Sequence, residues 1–101
     1  MARYFSYLQG LRGCYMPDSA NVIAVDTRKA LKEAIAFDAR DLQEAGYVGL
    51  SKKDVAWAAA HAWKTGSAIL PYGMRGEGKP YSIEVSRTDR ADYLASQDDY
   101  R

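Results

Sequence analysis

Residues 28–45 run without a glycine or a proline, and Leu31, Ala34, Ile35, Ala39 and Leu42 recur at spacings of three and four. Only a helix places that set on one face, and that face must be buried against another layer. Thr27 stands where its hydroxyl can accept a backbone N–H of the first turn. Gly46 stands where the chain can leave the helix through the left-handed region. The chain has 101 residues, which fits one domain and is too short for two separate cores. A single cysteine excludes an intramolecular disulfide framework, so packing alone must hold the core. Apolar types at 48% and charged types at 27% are enough for that and exclude disorder across the chain.

The other elements follow from local signals. Residues 2–8 are aromatic-rich and alternate, as a strand does, with Tyr4, Ser6 and Leu8 on one side and Arg3, Phe5 and Tyr7 on the other. Residues 9–20 hold Gly10, Gly13 and Pro17 and read as a long loop. Residues 21–26 are β-branched and short, a second strand. Residues 47–50 form a connector. Ser51 and Asp54 then have capping-box spacing before a second helix over 52–65, stopped by Gly66, with Val55, Ala58, Ala59 and Ala62 as a narrow inner face. Residues 67–72 read as a third strand, with Pro71 arguing against a central place in a sheet. Residues 73–78 are a glycine-rich turn, and residues 80–86 alternate Tyr81, Ile83 and Val85 against Ser82, Glu84 and Ser86. Thr88 is placed to cap a short helix over 89–95, and residues 96–101 read as a frayed polar tail beyond a single domain at 1–95.

The order β-β-α-α-β-β-α groups helices and strands, which predicts an α+β domain. A small antiparallel sheet is expected, with the two main helices packed on one face and a short C-terminal helix in addition. No apolar run is long enough for a membrane span. The opening MARYFSYLQGLRG lacks a basic region followed by an apolar core, so no signal peptide is expected. A reducing bacterial cytoplasm is the expected location.

Catalysis finds little to build on. Cys14 and His61 are the one thiol and the one imidazole, and nothing local holds them within hydrogen-bond reach. Asp38 and Asp41 share a helix surface, with Asp38 near the apolar edge where it could be a buried acceptor, but no electrophile or metal ligand accompanies them. Residues 73–78 lack the Gly-Lys-Ser/Thr ending of a phosphate loop and precede a strand, so a turn with positive-φ glycines is the better reading. No His or Cys cluster has metal-ligand spacing. The chain is read as a non-enzyme with no cofactor and no metal.

Binding has more support. Lys plus Arg is 14 and Asp plus Glu is 13, a net charge of +1, below the excess usual in a DNA-coating protein. The charges are unevenly spread: residues 51–80 are basic and residues 81–101 acidic. On the second helix Trp57 and His61 are four apart, with Lys53 and Lys64 beside them, and burying the alanine stripe turns Trp57 outward. An outward Trp suits a binding hot spot; the alternative is that it packs under the C-terminal segment. Eight tyrosines exceed what a small core needs and suit an interface. Arg12 with Tyr15 and Tyr72 with Arg75 are aromatic–basic pairs that can meet an acidic protein surface or stack on bases, or pack locally through cation–π contacts. The candidate partner-binding residues are therefore Arg12, Tyr15, Lys53, Trp57, His61, Lys64, Tyr72 and Arg75.

The opening YFSYLQGLRGCYMPDS, a strand, and the helix TRKALKEAIAFDARDLQEAGY resemble short uncharacterised proteins of bacteriophages and mobile elements. The resemblance covers roughly the first half and carries over no functional residue. Small phage proteins without catalytic groups are often inhibitors of host machinery, anti-CRISPR proteins among them. The resemblance thus implies a binding protein that sterically blocks a host protein or ribonucleoprotein complex, plausibly a CRISPR effector. The alternative is a small nucleic-acid-binding module using the same basic and aromatic side chains. An exposed edge strand or alanine stripe would equally serve a homodimer.

Overall fold

The computed structural model describes residues 2–11 and 21–98. In chain order it has strands β1 (Arg3–Leu11) and β2 (Asn21–Val25), helix α1 (Arg28–Glu44), the two-residue strand β3 (Tyr47–Val48), helix α2 (Lys52–Thr65), strands β4 (Ser67–Met74) and β5 (Tyr81–Thr88), and helix α3 (Arg90–Asp98). The strands form one antiparallel five-stranded sheet in the order β2-β1-β5-β4-β3. This is the expected α+β architecture.

Strand alternation decides which side chains meet the helices. Phe5 and Tyr7 of β1 lie level with Arg87 and Val85 of β5, and Ala68, Leu70 and Tyr72 of β4 lie level with Val85, Ile83 and Tyr81. That face is buried under Leu31, Ile35 and Ala39 of α1 and Val55, Ala58, Ala59 and Ala62 of α2. Tyr4 is on the other face, where its ring lies 5.3 Å from that of Tyr93 of α3. The short helix α3 thus crosses the outer side of the sheet near β2.

The helix ends form as their residues dictate. Thr27 Oγ1 accepts the Ala30 N–H, and Gly46 takes φ +102° just past α1. Ser51 and Asp54 form both halves of the capping box, and Gly66 closes α2 in the left-handed region. Alanine rather than a larger residue on α2 lets α1 approach closely. The Gln43 side chain donates to the Leu50 carbonyl at 2.8 Å and ties the end of α1 to the start of α2.

Several boundaries differ from expectation, among them those of β4, which runs on through Gly73 and Met74 instead of ending at residue 72, and of β5, which runs to Thr88. The first strand continues to Leu11 because Gln9, Gly10 and Leu11 pair with Ile83, Ser82 and Tyr81 of β5. The connector at 47–50 contains β3, two residues that pair only with Met74 and Gly73. Pro71 therefore sits where β4 is in effect an edge, which reconciles it with a strand that is fourth of five. Asp89, not Thr88, caps α3: its carboxylate accepts the Asp92 N–H at 2.8 Å, while the Thr88 hydroxyl donates to the Asp92 carboxylate. The last helix also runs through Asp98, so residues 96–98 belong to it and not to a frayed tail.

Tyr7 holds a polar group in the core. Its hydroxyl is buried beside the Asp38 carboxylate, without a hydrogen bond of normal geometry. Burial, and then the Asp38 charge, push its pKa well above the usual tyrosine value. Removing an unsatisfied buried hydroxyl is close to neutral or stabilising. Tyr7→Phe is expected to hold or gain stability, by up to about 1 kcal/mol at neutral pH. The sign at high pH follows from proton counting. Above about pH 10 the unfolded tyrosine releases its proton while the folded one keeps it, so this group lowers stability by about 1.4 kcal/mol per pH unit as pH rises. Denaturant titrations at pH 7 and pH 11 check both parts. A Tyr7→Phe protein clearly less stable at pH 7 would show that the hydroxyl bonds Asp38 after all.

Candidate functional site

The two main helices leave between them a crevice on the side away from the sheet. Its first part holds about 600 Å³ and is lined by Thr27, Arg28, Lys29 and Lys32 of the first turns of α1 against Ala56, Ala59 and Ala60 of α2. Its second part holds about 340 Å³, with Ala36, Arg40 and Gln43 of α1 against Leu50, Lys52 and Val55. Lys32 lines both parts, so they adjoin each other along α1. The start of α1 faces the middle of α2 and the end of α1 faces the start of α2, an antiparallel pair.

The chemistry of this crevice is one-sided. Arg28, Lys29, Lys32, Arg40 and Lys52 line it, and among the described residues no carboxylate does. Helix α1 carries Glu33, Asp38, Asp41 and Glu44, yet none of them reaches the crevice wall. The rest of the wall is largely apolar: Ala36 and Ala39 from α1, Leu50 ahead of α2, and Val55, Ala56, Ala59 and Ala60 from α2. All five cations are exposed side chains, so water screens their mutual repulsion, and the surplus of positive charge along the crevice favours an anion.

The sequence-derived residues of α2 border this crevice. With 3.6 residues per turn, Lys53, Lys64 and Trp57 follow Ala56 and Ala60 around the helix toward solvent. Trp57 is 52% exposed, and its ring stacks on His61 at 5.0 Å between centroids and 13° between planes. Among the described residues the C-terminal segment does not cover it, since α3 lies by Tyr4 and β2. Lys53, Trp57, His61 and Lys64 thus share one exposed face as expected.

Other candidates fare differently. Tyr72 is only 3% exposed and is removed from the contact set. Strand alternation puts it on the helix-facing side, where its ring lies 5.3 Å from Tyr47 and 5.6 Å from Tyr81. The expected Tyr72–Arg75 pair is therefore replaced by a tyrosine cluster. Arg75 is exposed in the turn between β4 and β5, on a different element from the α2 face. Arg12, Tyr15 and Cys14 lie outside the described residues. The cation–π contact that forms is Arg3 over Trp63, 4.0 Å from the ring, with the guanidinium also donating to the Trp63 carbonyl at 3.2 Å. Of the described tyrosines, Tyr7 and Tyr72 are buried and Tyr47 and Tyr81 pack with Tyr72, so these four serve internal packing.

Sequence reasoning missed the basic flank of α1 and also Phe37, which is 67% exposed on that helix. The first was visible as Lys29, Lys32 and Arg40 bracketing Ala36 at helical spacing. The second was visible as an aromatic two places past Ile35, off the buried stripe. Among the described residues no group of three metal-ligating side chains comes together. No described helix is long and apolar enough to cross a membrane. No protein-family model, curated protein or solved structure matches the chain.

Proposed function

We propose that this is a non-enzymatic, phage-type binding protein whose helical face covers a surface that a bacterial nucleoprotein complex needs, a CRISPR effector being one such complex. The observation that carries the reading is the exposed Trp57–His61 stack, set among Lys53 and Lys64 and beside a crevice whose charged lining residues are all cations. A solvated helix face has no use for a half-exposed indole, whereas an interface centre does. A standard interface takes about 800 Å² from each partner, an area the α1–α2 face of so small a domain can supply. The mechanism is steric: bound there, the protein occupies a site that nucleic acid or a partner subunit would otherwise use.

The test is affinity capture from bacterial lysate with the wild-type protein and a Trp57→Ala/Lys64→Glu variant side by side. The expected result is one stoichiometric nucleoprotein complex retained by the wild type and lost by the folded variant. Recovery of the same complex by both, or of none by either, overturns the assignment of this face.

A further inference from the structure

The α1–α2 crevice has a shape and charge that select among anionic ligands. We infer that it holds the phosphodiester backbone of a single-stranded nucleic acid, with one base laid on the exposed face of Trp57; the inference rests on the helical face being the binding face. Arg28 and Arg40 are twelve residues apart on one helix, so at 1.5 Å per residue the cations extend along about 18 Å. That is a track for several successive phosphates, not a pocket for one small anion. The alanines of the crevice wall let a backbone approach closely.

Trp57 decides between single and double strands. Its ring lies around α2 from the crevice, beyond Ala56 and Ala60, where a base projecting from the strand would reach it. Only an unstacked base can present its face to an indole, so the ring is a stacking platform for a single strand. Lys53 and Lys64 flank that position and add positive charge beside the stacked base. Near-neutral net charge is no obstacle, because the cations are concentrated on this face and the carboxylates of α1 are kept off it.

The experiment is fluorescence anisotropy with the full chain and labelled dT10, U10 and a ten-residue poly-glutamate, from 50 to 200 mM salt. Four or five phosphate contacts predict that affinity for the oligonucleotides falls about 50- to 130-fold over that range. A folded Lys32→Glu/Arg40→Glu variant is expected to bind at least tenfold more weakly, and Trp57→Ala at least fivefold. Arg90→Glu, on α3 across the sheet, leaves binding unchanged. The ratio of U10 to dT10 affinity then assigns the sugar. Absence of oligonucleotide binding at 50 mM salt, equal binding of poly-glutamate, or indifference to the crevice variants overturns the inference. If the oligonucleotides fail while capture of a partner complex still depends on Trp57 and Lys64, the ligand is wrong and the face is right; if capture also fails, both fall.

Discussion

Gly73→Ala is expected to cost about 3 kcal/mol, at the upper end for overpacking a tight site. A Cβ at Gly73 would lie 2.3 Å from the Gly78 carbonyl oxygen and 2.8 Å from Cδ of Pro80. Neither neighbour is the loose end of a flexible side chain, so the backbone itself must move. The turn between β4 and β5 is closed just beside this point. Glu77 donates its N–H to the Met74 carbonyl at 3.2 Å, and its carboxylate accepts the Met74 N–H at 2.6 Å. Gly73 also pairs with Val48, so a displaced Gly73 loosens β3 as well. Gly76→Ala is the informative contrast. Its Cβ meets nothing within 4 Å, but its φ of +90° disfavours any side chain, a cost of about 1–2 kcal/mol. Denaturant midpoints of the two variants should therefore separate close approach from backbone conformation. A Gly73→Ala protein as stable as the wild type would refute the close packing of this turn.

The same turn shows what a sequence does and does not disclose. Glycine density marks residues 73–78 as a turn, and Gly76 and Gly78 do take positive φ. Gly73 does not; it is a glycine for reasons of space, and space depends on where Pro80 returns after the turn. Elements with local causes were legible in this way. Thr27, the Ser51–Asp54 box and Gly66 each act on groups within four residues, so spacing alone located both long helices. The strand β3 was not legible, because two residues carry no periodicity and pair only when β4 is already in place. Asp89 rather than the expected Thr88 caps α3; the two are adjacent and both have the right chemistry, so spacing alone does not separate them.

The candidate site was legible by halves. The outward face of α2 follows from one helix alone, since burying Val55, Ala58, Ala59 and Ala62 turns Trp57 and His61 to solvent. Tyr72 was misplaced although its own alternation with Ala68 and Leu70 pointed inward; its nearness to Arg75 in the chain suggested a surface pair instead. The crevice needed tertiary structure. Lys29, Lys32 and Arg40 show a basic row on α1, but only the packing of α1 on α2 reveals that this row borders a crevice against another helix. Net charge hid it further, because the carboxylates that balance the sum lie elsewhere on the same helix.

The chain's two phenylalanines are expected to answer oppositely to truncation. Phe5 is fully buried at the centre of the helix-facing side of β1, with its ring stacked 6.2 Å from that of Trp63. Phe5→Ala removes that ring from a core with no disulfide to hold it, and large-to-small changes of this kind cost about 3–5 kcal/mol. Against a total stability of about 5–15 kcal/mol that is a large share. In a domain of this size it lowers Tm by about 15–30 °C. Trp63 would lose its inner support, and with it the geometry that lets Arg3 lie on its other contacts, so its fluorescence should redden before global unfolding. Phe37→Ala, at a site mostly in water, should change stability by no more than about 0.5 kcal/mol. Thermal melts followed by both circular dichroism and tryptophan emission distinguish the two. Equal shifts for the two variants would contradict the register of β1, since a slip of one residue would bring Tyr4 and Ser6 to the core and carry Phe5 to the outer face.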